Sequence, residues 1–501
     1  MRLVDLVRLV PGARLITGGD VEVRRAVHDS RKAQPGDLFV AIPGATADGA
    51  KFVGDAIERG ALAVASQRPI ELPPNVGNLI VPDARGVLGE LASALAGQPS
   101  ERLRLIGVTG TDGKTTTSQL IAAVLAASGR TVGWSTTADI RIGDQLLPNP
   151  FGLTTPEATE IQDTLARFVA AGVEDAVLEV SSHALSLDRV RGCTFDAAVF
   201  TNLSEEHLNF HGTMREYAAA KARLFEMLDT PTNKAWSRMG VVNADDPASM
   251  TMVASSPAAI VSYGLEAIAD VTATRIQLGI SGTRFRLVMP IGEMNIETRL
   301  VGRHNVSNWL AASAVALGWG IDLDAVAEAA AVTDPPTGRL QRIRRGQPYE
   351  VIVDFAHTPH ALETTLTTLR SMAEGRVFLV FGMAGGRDAA NRPTMGSVAA
   401  RNTDFFVIST DDPMHEDPRA IADEVSAGAR SASAIEGQDF VVELDRRGAI
   451  REVLSRAQPG DVVLLAGKGH ERRMLVGDRA EPWSDQEAVN DILSELGQAM
   501  P

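Results

Sequence analysis

Gly107-Val-Thr-Gly-Thr-Asp-Gly-Lys-Thr-Thr-Thr117 is the stretch on which the reading of this chain turns. The apolar run Leu103 to Val108 precedes it and reads as a buried strand. Beyond it, Leu120, Ile121, Val124 and Leu125 fall on one face of a helix. Glycines at such a strand–helix junction let successive backbone N–H groups curl around phosphate oxygens. The helix start adds the positive end of its dipole. These N–H groups would form a phosphate cradle, with Lys114 able to reach the terminal phosphates and the Thr115 hydroxyl able to face Mg²⁺. The spacing departs from the strict G-x4-G-K-[ST] pattern, because five residues separate Gly107 from Gly113. A Gly-rich turn that only joins strand to helix is the plain alternative, and the Lys-Thr-Thr-Thr sequel meets no packing need.

Working outward, strand-like runs alternate with helical ones on both sides. Asp175-Ala-Val-Leu-Glu-Val, Asp196-Ala-Ala-Val-Phe and Gly240-Val-Val-Asn follow the loop. Glu350-Val-Ile-Val-Asp, Arg376-Val-Phe-Leu-Val-Phe, Asp404-Phe-Phe-Val-Ile and Asp461-Val-Val-Leu-Leu-Ala come later. This rhythm predicts an α/β fold with mostly parallel sheets. Residues 270–300 alternate in short runs and predict an antiparallel edge. Breakers at Ala96-Gly-Gln-Pro-Ser-Glu and Asp334-Pro-Pro-Thr-Gly suggest three domains: 1–97, a central phosphate-loop ATPase domain at 98–334, and a Rossmann-like domain at 335–501.

Composition narrows the class. Of 501 residues, 45% are hydrophobic and 22% charged, which suits packed domains rather than disorder. No apolar stretch of about 20 residues is present, so a membrane span is not expected. A single cysteine, Cys193, excludes an intrachain disulfide framework and a multi-cysteine zinc site. These features predict a cytoplasmic protein. A net charge of −15 argues against nonspecific nucleic-acid binding, though a local cluster of donors can still hold an anionic substrate.

Two further segments carry chemistry. Glu179 interrupts the end of an apolar strand and precedes Ser181-Ser-His183; a buried carboxylate is costly unless it meets a cation, so Glu179 is a candidate Mg²⁺ ligand. The next strand ends in Thr201-Asn-Leu-Ser-Glu-Glu-His207, which brings His207 to the same sheet edge. A surface acid and a surface histidine remain the bland reading. On the helix from Met214 to Leu228, Lys221 shares the apolar face of Tyr217, Ala218, Leu224 and Phe225. It either snorkels to water or sits deprotonated in the site and takes up CO₂ as a carbamate.

Together these segments resemble the Mur ligase family, most closely its tripeptide-forming branch, over essentially the whole chain. The resemblance is carried by Asp29-Ser-Arg31, Gly36-Asp-Leu-Phe-Val-Ala41, the loop at 109–117, Thr154-Thr-Pro-Glu157, Glu179-Val-Ser-Ser-His183, Thr201-Asn-Leu-Ser204 and Tyr217-x3-Lys221. In the last block it rests on Asn305-Val-x-Asn308, Gly338-Arg339, Asp354-Phe-Ala-His-Thr-Pro359, Gly385-Gly-Arg-Asp388, Asp411-Asp-Pro413 and Gly467-Lys-Gly-His-Glu471. It implies ATP-dependent amide formation on UDP-N-acetylmuramoyl-L-alanyl-D-glutamate through an acyl phosphate, in peptidoglycan synthesis. A monomer is expected. Ser30, Ala45, Thr46 and Ala47 would line the uridine pocket; Thr154, Thr155, Ser181 and Arg189 would hold the muramoyl-dipeptide. Gly110, Thr111, Asp112, Gly113, Lys114, Thr115 and Thr116 would bind the ATP phosphates, and Asn305, Arg339 and Asp354 would contact the nucleotide. Thr115, Glu179, His207 and Lys221, as N6-carboxylysine, would hold Mg²⁺, with Lys114, Lys221 and His207 catalytic.

The incoming amino acid is the sharpest departure from the family pattern. Members that add meso-diaminopimelate typically carry Asp-Asn-Pro-Arg, and this chain reads Asp411-Asp-Pro-Met414. Met414 cannot pair with a distal carboxylate, and Asp412 would attract an ammonium. L-Lysine or L-ornithine is therefore expected, with Arg387 on the α-carboxylate and Asp411, Asp412, Gly467 and Glu471 around the amines; the diaminopimelate-adding form is the alternative. A folylpolyglutamate-type ligase, a neighbouring Mur ligase and a silent nucleotide-binding module are the rival readings. Cys193 reads as packing. No chemical step is assigned to His357 or His470.

Overall fold

The computed structural model describes residues 1–44 and 48–497; the expected uridine-pocket residues Ala45, Thr46 and Ala47 lie outside the described residues. The chain divides into two compact units. One comprises Met1–Thr274, Leu287–Met294 and Ser307–Ala329, and the other Arg275–Arg286, Asn295–Val306 and Ala330–Pro501. The second unit thus takes in two segments that precede the sequence boundary at 334. One of them carries Ile280, which packs against the C-terminal core.

Each predicted block builds its own sheet. In the N-terminal block the strand order is Arg14–Thr17, Gly77–Ile80, Ala63–Ser66, Asp37–Val40 and Arg25–Val27. Arg14–Thr17 alone runs antiparallel. Leu38, Val40, Ala63 and Leu79 bury one face of this sheet against Leu88 and Leu91 of the helix Ala84–Leu95. Asp83 caps that helix by accepting the Arg85 N–H.

The central sheet places the phosphate loop. Its strand Arg104–Thr109 is flanked by Asp175–Glu179 on one side and Ala197–Phe200 on the other, all parallel. Neither neighbour is next in sequence: the chain passes from this strand beyond Asp175–Glu179 to Val132–Ser135, later returns to form Asp175–Glu179, and then crosses back over Arg104–Thr109 to Ala197–Phe200. A crevice at the carboxyl ends of such strands is the usual ligand position. Register aligns Glu179 with Val108 and Phe200 with Thr109, so the loop, Glu179 and Thr201 emerge side by side. Val132–Ser135 continues the sheet beyond Asp175–Glu179, and Met239–Asn243 and Ala259–Gly264 continue it on the other side, again in parallel. Asp139–Ile142 and Gln145–Pro148 close one end as an antiparallel hairpin. Val271–Gly279, Gly282–Met289 and Gly292–Thr298 are successive neighbours at the other end. Their two-residue links can join only antiparallel strands, in accord with the alternation read from sequence.

The C-terminal sheet orders Gln341–Ile343, Glu350–Asp354, Val462–Ala466, Val377–Phe381, Phe405–Ile408 and Phe440–Val442. All pairs are parallel except the first. These continuous apolar runs are covered on both faces, as parallel strands require. Asp354 aligns with Ala466, so the segments after 354, 381, 408 and 466 gather at one sheet edge. Among the described residues no helix is long and apolar enough to cross a membrane.

Candidate active site

The phosphate loop is held from below by the exit of the neighbouring strand. Thr111 N donates to Asn202 O at 2.8 Å and Asp112 N to Asn202 Oδ1 at 2.9 Å. Thr201 Oγ1 donates to Asp112 O at 2.7 Å, and Ser204 N donates to Thr111 Oγ1 at 3.0 Å. The Thr201-Asn-Leu-Ser204 motif is thus a brace for the loop. Two glycines have no substitute there. Gly110 sits at φ +152°, where a Cβ would lie 1.8 Å from Thr201 Oγ1; Gly113 sits at φ +80°, where it would lie 2.6 Å from Asn308 Oδ1. The helix Lys114–Ala127 starts directly after, and Thr117 Oγ1 donates to Asn308 Oδ1 at 3.1 Å.

Both lysines expected in the site meet at this loop. Lys114 Nζ donates to the carbonyls of Gly110 at 3.2 Å and Thr111 at 2.8 Å. Lys221 is 1% exposed and does not snorkel. Its Nζ donates to Gly110 O at 2.6 Å and lies 4.3 Å from the centroid of the Tyr217 ring. Burial, reinforced by the charge of Lys114, pushes the Lys221 amine well below the ordinary lysine range. Tyr217 in turn hydrogen-bonds Thr111 through its hydroxyl at 3.2 Å.

Glu179 is buried at the strand end as the pattern predicts. It accepts from Thr115 Oγ1 at 2.9 Å, Thr137 N at 2.8 Å and Thr137 Oγ1 at 3.0 Å. Among the described residues no lysine or arginine pairs with it. A buried carboxylate surrounded by hydroxyl and amide donors, and lacking a cation, suits a hard metal ion. Thr137 has no motif to announce it; its only signal is its place at the end of the next parallel strand. His207, in the left-handed region at φ 58°, joins a ring cluster with His183 at 4.7 Å and Tyr217 at 6.3 Å. His183 also stacks on Phe210 at 4.2 Å. Burial, then His207 and His211, press the His183 imidazole down to about 4. Glu179 and His207 do not belong to a group of three close carboxylate, imidazole or thiol ligands among the described residues.

The expected dipeptide residues adjoin this edge. Thr155 Oγ1 donates to Glu179 O at 2.9 Å and accepts from Ser181 N at 2.9 Å. Thr154 Oγ1 lies 3.1 Å from Thr137 Oγ1, whose one proton goes to Glu179, so the Thr154 hydroxyl is the donor of this pair. Arg189 Nη1 donates to Thr155 O at 3.1 Å. Ser30, in the N-terminal block, is buried behind Asp29, which accepts the Arg31 N–H. Cys193 is buried, and its thiol is pushed up to about 12, as packing requires.

In the C-terminal block Asp354 is spent on the backbone, accepting from Leu340 N at 2.7 Å and Ala356 N at 2.9 Å. Arg339 lies over the Phe355 ring, 4.6 Å from its centroid, and Phe355 tilts against His470 at 4.8 Å. Burial, then Arg339, hold the His470 imidazole down at about 3. Asn305 Nδ2 donates to Val301 O at 2.8 Å. Arg387 is exposed on its loop.

The acids expected to receive a substrate ammonium are already occupied. Asp411, Asp412 and Glu471 form the one cluster of three close potential metal ligands among the described residues. Lys468 Nζ, fully buried, lies 2.6 Å from Glu471, 2.7 Å from Asp412 and 3.5 Å from Asp411. Asp412 Oδ1 also accepts from Leu475 N at 2.9 Å. Sequence reasoning gives Lys468 no role; its one signal is a lone lysine directly after an apolar strand. Asp412 therefore neutralises an internal lysine and does not stand ready for lysine or ornithine as substrate.

Comparison with known proteins agrees with this correction. Three family models match in order: the Mur ligase family catalytic domain at residues 23–95, the Mur ligase middle domain at 108–316 and the Mur ligase glutamate ligase domain at 338–469. The UDP-N-acetylmuramoyl-L-alanyl-D-glutamate–2,6-diaminopimelate ligase of Geobacillus thermodenitrificans (strain NG80-2) is 42% identical, covering 99% of this chain and 100% of its own. The UDP-N-acetylmuramyl-tripeptide synthetase of Roseiflexus sp. (strain RS-1) is 42% identical over 95% of each chain. A solved structure of a 2,6-diaminopimelate ligase superposes with a TM-score of 0.70 at 31% identity, covering 99% of both chains. The names of the diaminopimelate-adding relatives do not support the expectation of lysine or ornithine and favour the alternative. With its braced phosphate loop, its buried lysine and relatives this similar along its whole length, the chain is a ligase and belongs to the Mur ligase family.

Proposed function

We propose that this protein spends ATP to join 2,6-diaminopimelate to the D-glutamyl carboxyl of UDP-N-acetylmuramoyl-L-alanyl-D-glutamate, as a cytoplasmic monomer in peptidoglycan synthesis. The observation that carries the reading is the convergence of Lys114 and Lys221 on Gly110 beside the buried carboxylate of Glu179. A carboxylate is a poor electrophile, and phosphoryl transfer to it gives an acyl phosphate that an amine can attack. The loop N–H groups and Lys114 would hold the triphosphate and offset charge on the transferring group. Thr115, Glu179, His207 and a carbamate on Lys221 would hold Mg²⁺, which when bound further offsets that charge. A neutral buried amine is the form that takes up CO₂, and the depressed Lys221 supplies it. Thr154, Thr155, Ser181 and Arg189 would orient the dipeptide beside the loop, and Ser30 the uridine. Arg339, Asp354 and Asn305 would position the nucleotide from the C-terminal block. Arg387 would take a carboxylate of the amino acid, while the Lys468 cluster fixes the loops around it. The diaminopimelate reading is supported by the names of the relatives, and the occupied acids remove the reason for expecting lysine or ornithine.

The test is tripeptide formation from ATP and the UDP-dipeptide with diaminopimelate, L-lysine or L-ornithine, followed by mass spectrometry. Diaminopimelate should react fastest. A clear preference for lysine or ornithine rejects the amino-acid assignment; ATP hydrolysis that needs neither co-substrate rejects the ligase.

A further inference from the structure

Thr154-Thr-Pro-Glu157 contributes two threonines to the site, and its glutamate lies apart from them in role. Glu157 occupies the N-cap position of the helix Ala158–Ala170, yet its side chain makes no capping hydrogen bond. Its two carboxylate oxygens divide between arginines of two domains. Oε2 accepts from Arg85 Nη1 at 2.6 Å, and Arg85 is the second residue of the N-terminal block's helix Ala84–Leu95. Oε1 lies 2.9 Å from Arg189 Nε. The three side chains are 33%, 18% and 15% exposed, in the order Arg85, Glu157, Arg189. An open surface pair contributes little, but one this far out of water is costly to break.

The surrounding surface has no room to slide. A Cβ on Gly89 would lie 1.8 Å from Arg191 O, and one on Gly192 would lie 2.4 Å from Gly89 O. Arg191 also pairs with Glu90 at 2.8 Å, and Lys32 with Glu160 at 2.9 Å. Helix Ala84–Leu95 is thus locked against the turn that carries Arg189.

We propose that Arg85 and Glu157 are positioning residues for Arg189. They fix its guanidinium toward an anionic group of the UDP-linked substrate, and they keep the dipeptide end in register with the uridine end. This rests on the reading of Arg189 as a ligand of that substrate. Two guanidiniums and one carboxylate leave one surplus positive charge, suited to a substrate carrying a diphosphate and carboxylates. Arg189 Nε lies in ion-pair contact with Glu157 without an aligned hydrogen bond, and Nη1 donates to Thr155 O. Its Nη2 makes no hydrogen bond among the described residues and is the nitrogen available to substrate.

The test compares Arg85→Met, Arg85→Lys, Glu157→Gln and the double variant R85M/E157Q in steady-state kinetics, with Tm measured alongside. Arg85→Met and Glu157→Gln should each raise the KM for UDP-N-acetylmuramoyl-L-alanyl-D-glutamate about tenfold, a loss of about 1.4 kcal/mol. The KM for ATP and for diaminopimelate should stay within about twofold, Arg85→Lys should recover most of the affinity, and the double variant should be no worse than Glu157→Gln, as expected for one coupled unit. An unchanged KM for the UDP-dipeptide, an equal rise in all three KM values, or additive effects in the double variant would each overturn the proposal. A wild-type enzyme that makes no tripeptide would instead reject the underlying ligase reading.

Discussion

Lys114 and Lys221 donate to the same acceptor, the carbonyl of Gly110, at 3.2 and 2.6 Å. Two ammonium groups do not share one buried oxygen at low cost, and burial together with the charge of Lys114 pushes the Lys221 amine well below the ordinary lysine range.

That relationship makes Lys221 the residue to change first. Lys221→Ala and Lys221→Arg should each lower tripeptide formation on the order of a hundredfold or more, since neither offers a neutral primary amine for CO₂. Quenched-flow detection of the acyl phosphate checks the step, and ¹³C-bicarbonate NMR checks the carbamate. Full activity in Lys221→Arg rejects the role.

The loop glycines should be equally intolerant. Gly110→Ala and Gly113→Ala place a Cβ at φ +152° and +80° against Thr201 and Asn308. Each should cost about 1–3 kcal/mol of loop strain and weaken ATP binding at least about tenfold. Calorimetric titration of a nonhydrolysable ATP analogue measures this; unchanged affinity would show that the loop does not hold phosphates.

Removing Lys468 should cost more stability than removing any one of its partners. Lys468→Met strands three buried or half-buried carboxylates and should lower stability by about 3–5 kcal/mol. Asp412→Asn leaves Asp411 and Glu471 on the lysine and should cost clearly less. Urea midpoints of the two variants decide the order.

Acid should weaken the C-terminal block through His470. Its imidazole is held at about 3 against an unfolded value of 6.5, so the unfolded chain binds the extra proton between those values. Stability is therefore fully present above pH 6.5 and falls as pH drops toward 3, by about 2 kcal/mol at pH 5. His470→Gln should flatten the dependence of Tm on pH between 7 and 5. A slope equal to that of the wild type would count against the assignment.

The legible part of this chain is what local chemistry writes into adjacent residues. Strand–helix alternation revealed the parallel sheets because apolar runs such as Val462–Ala466 and Val377–Phe381 are buried on both faces. The loop at 109–117 was legible as a Gly-rich strand-to-helix turn through its glycines, Lys114 and Thr115. What sequence hid is long-range pairing. Lys221 shared a face with apolar residues, and only the fold shows that this face ends on Gly110 and not in water. Asp412 read as an open acid because Lys468, 56 residues away, is invisible from its neighbours. Glu157 read as part of a substrate motif because Arg85 lies on another domain.

The internal salt knot at Lys468 also sets how these loops tolerate a change of charge. Adding or deleting a carboxylate at 411 or 412 changes first the charge felt by the buried lysine. Redesign of this cluster must therefore begin at position 468, with the acids adjusted afterwards to whatever takes its place.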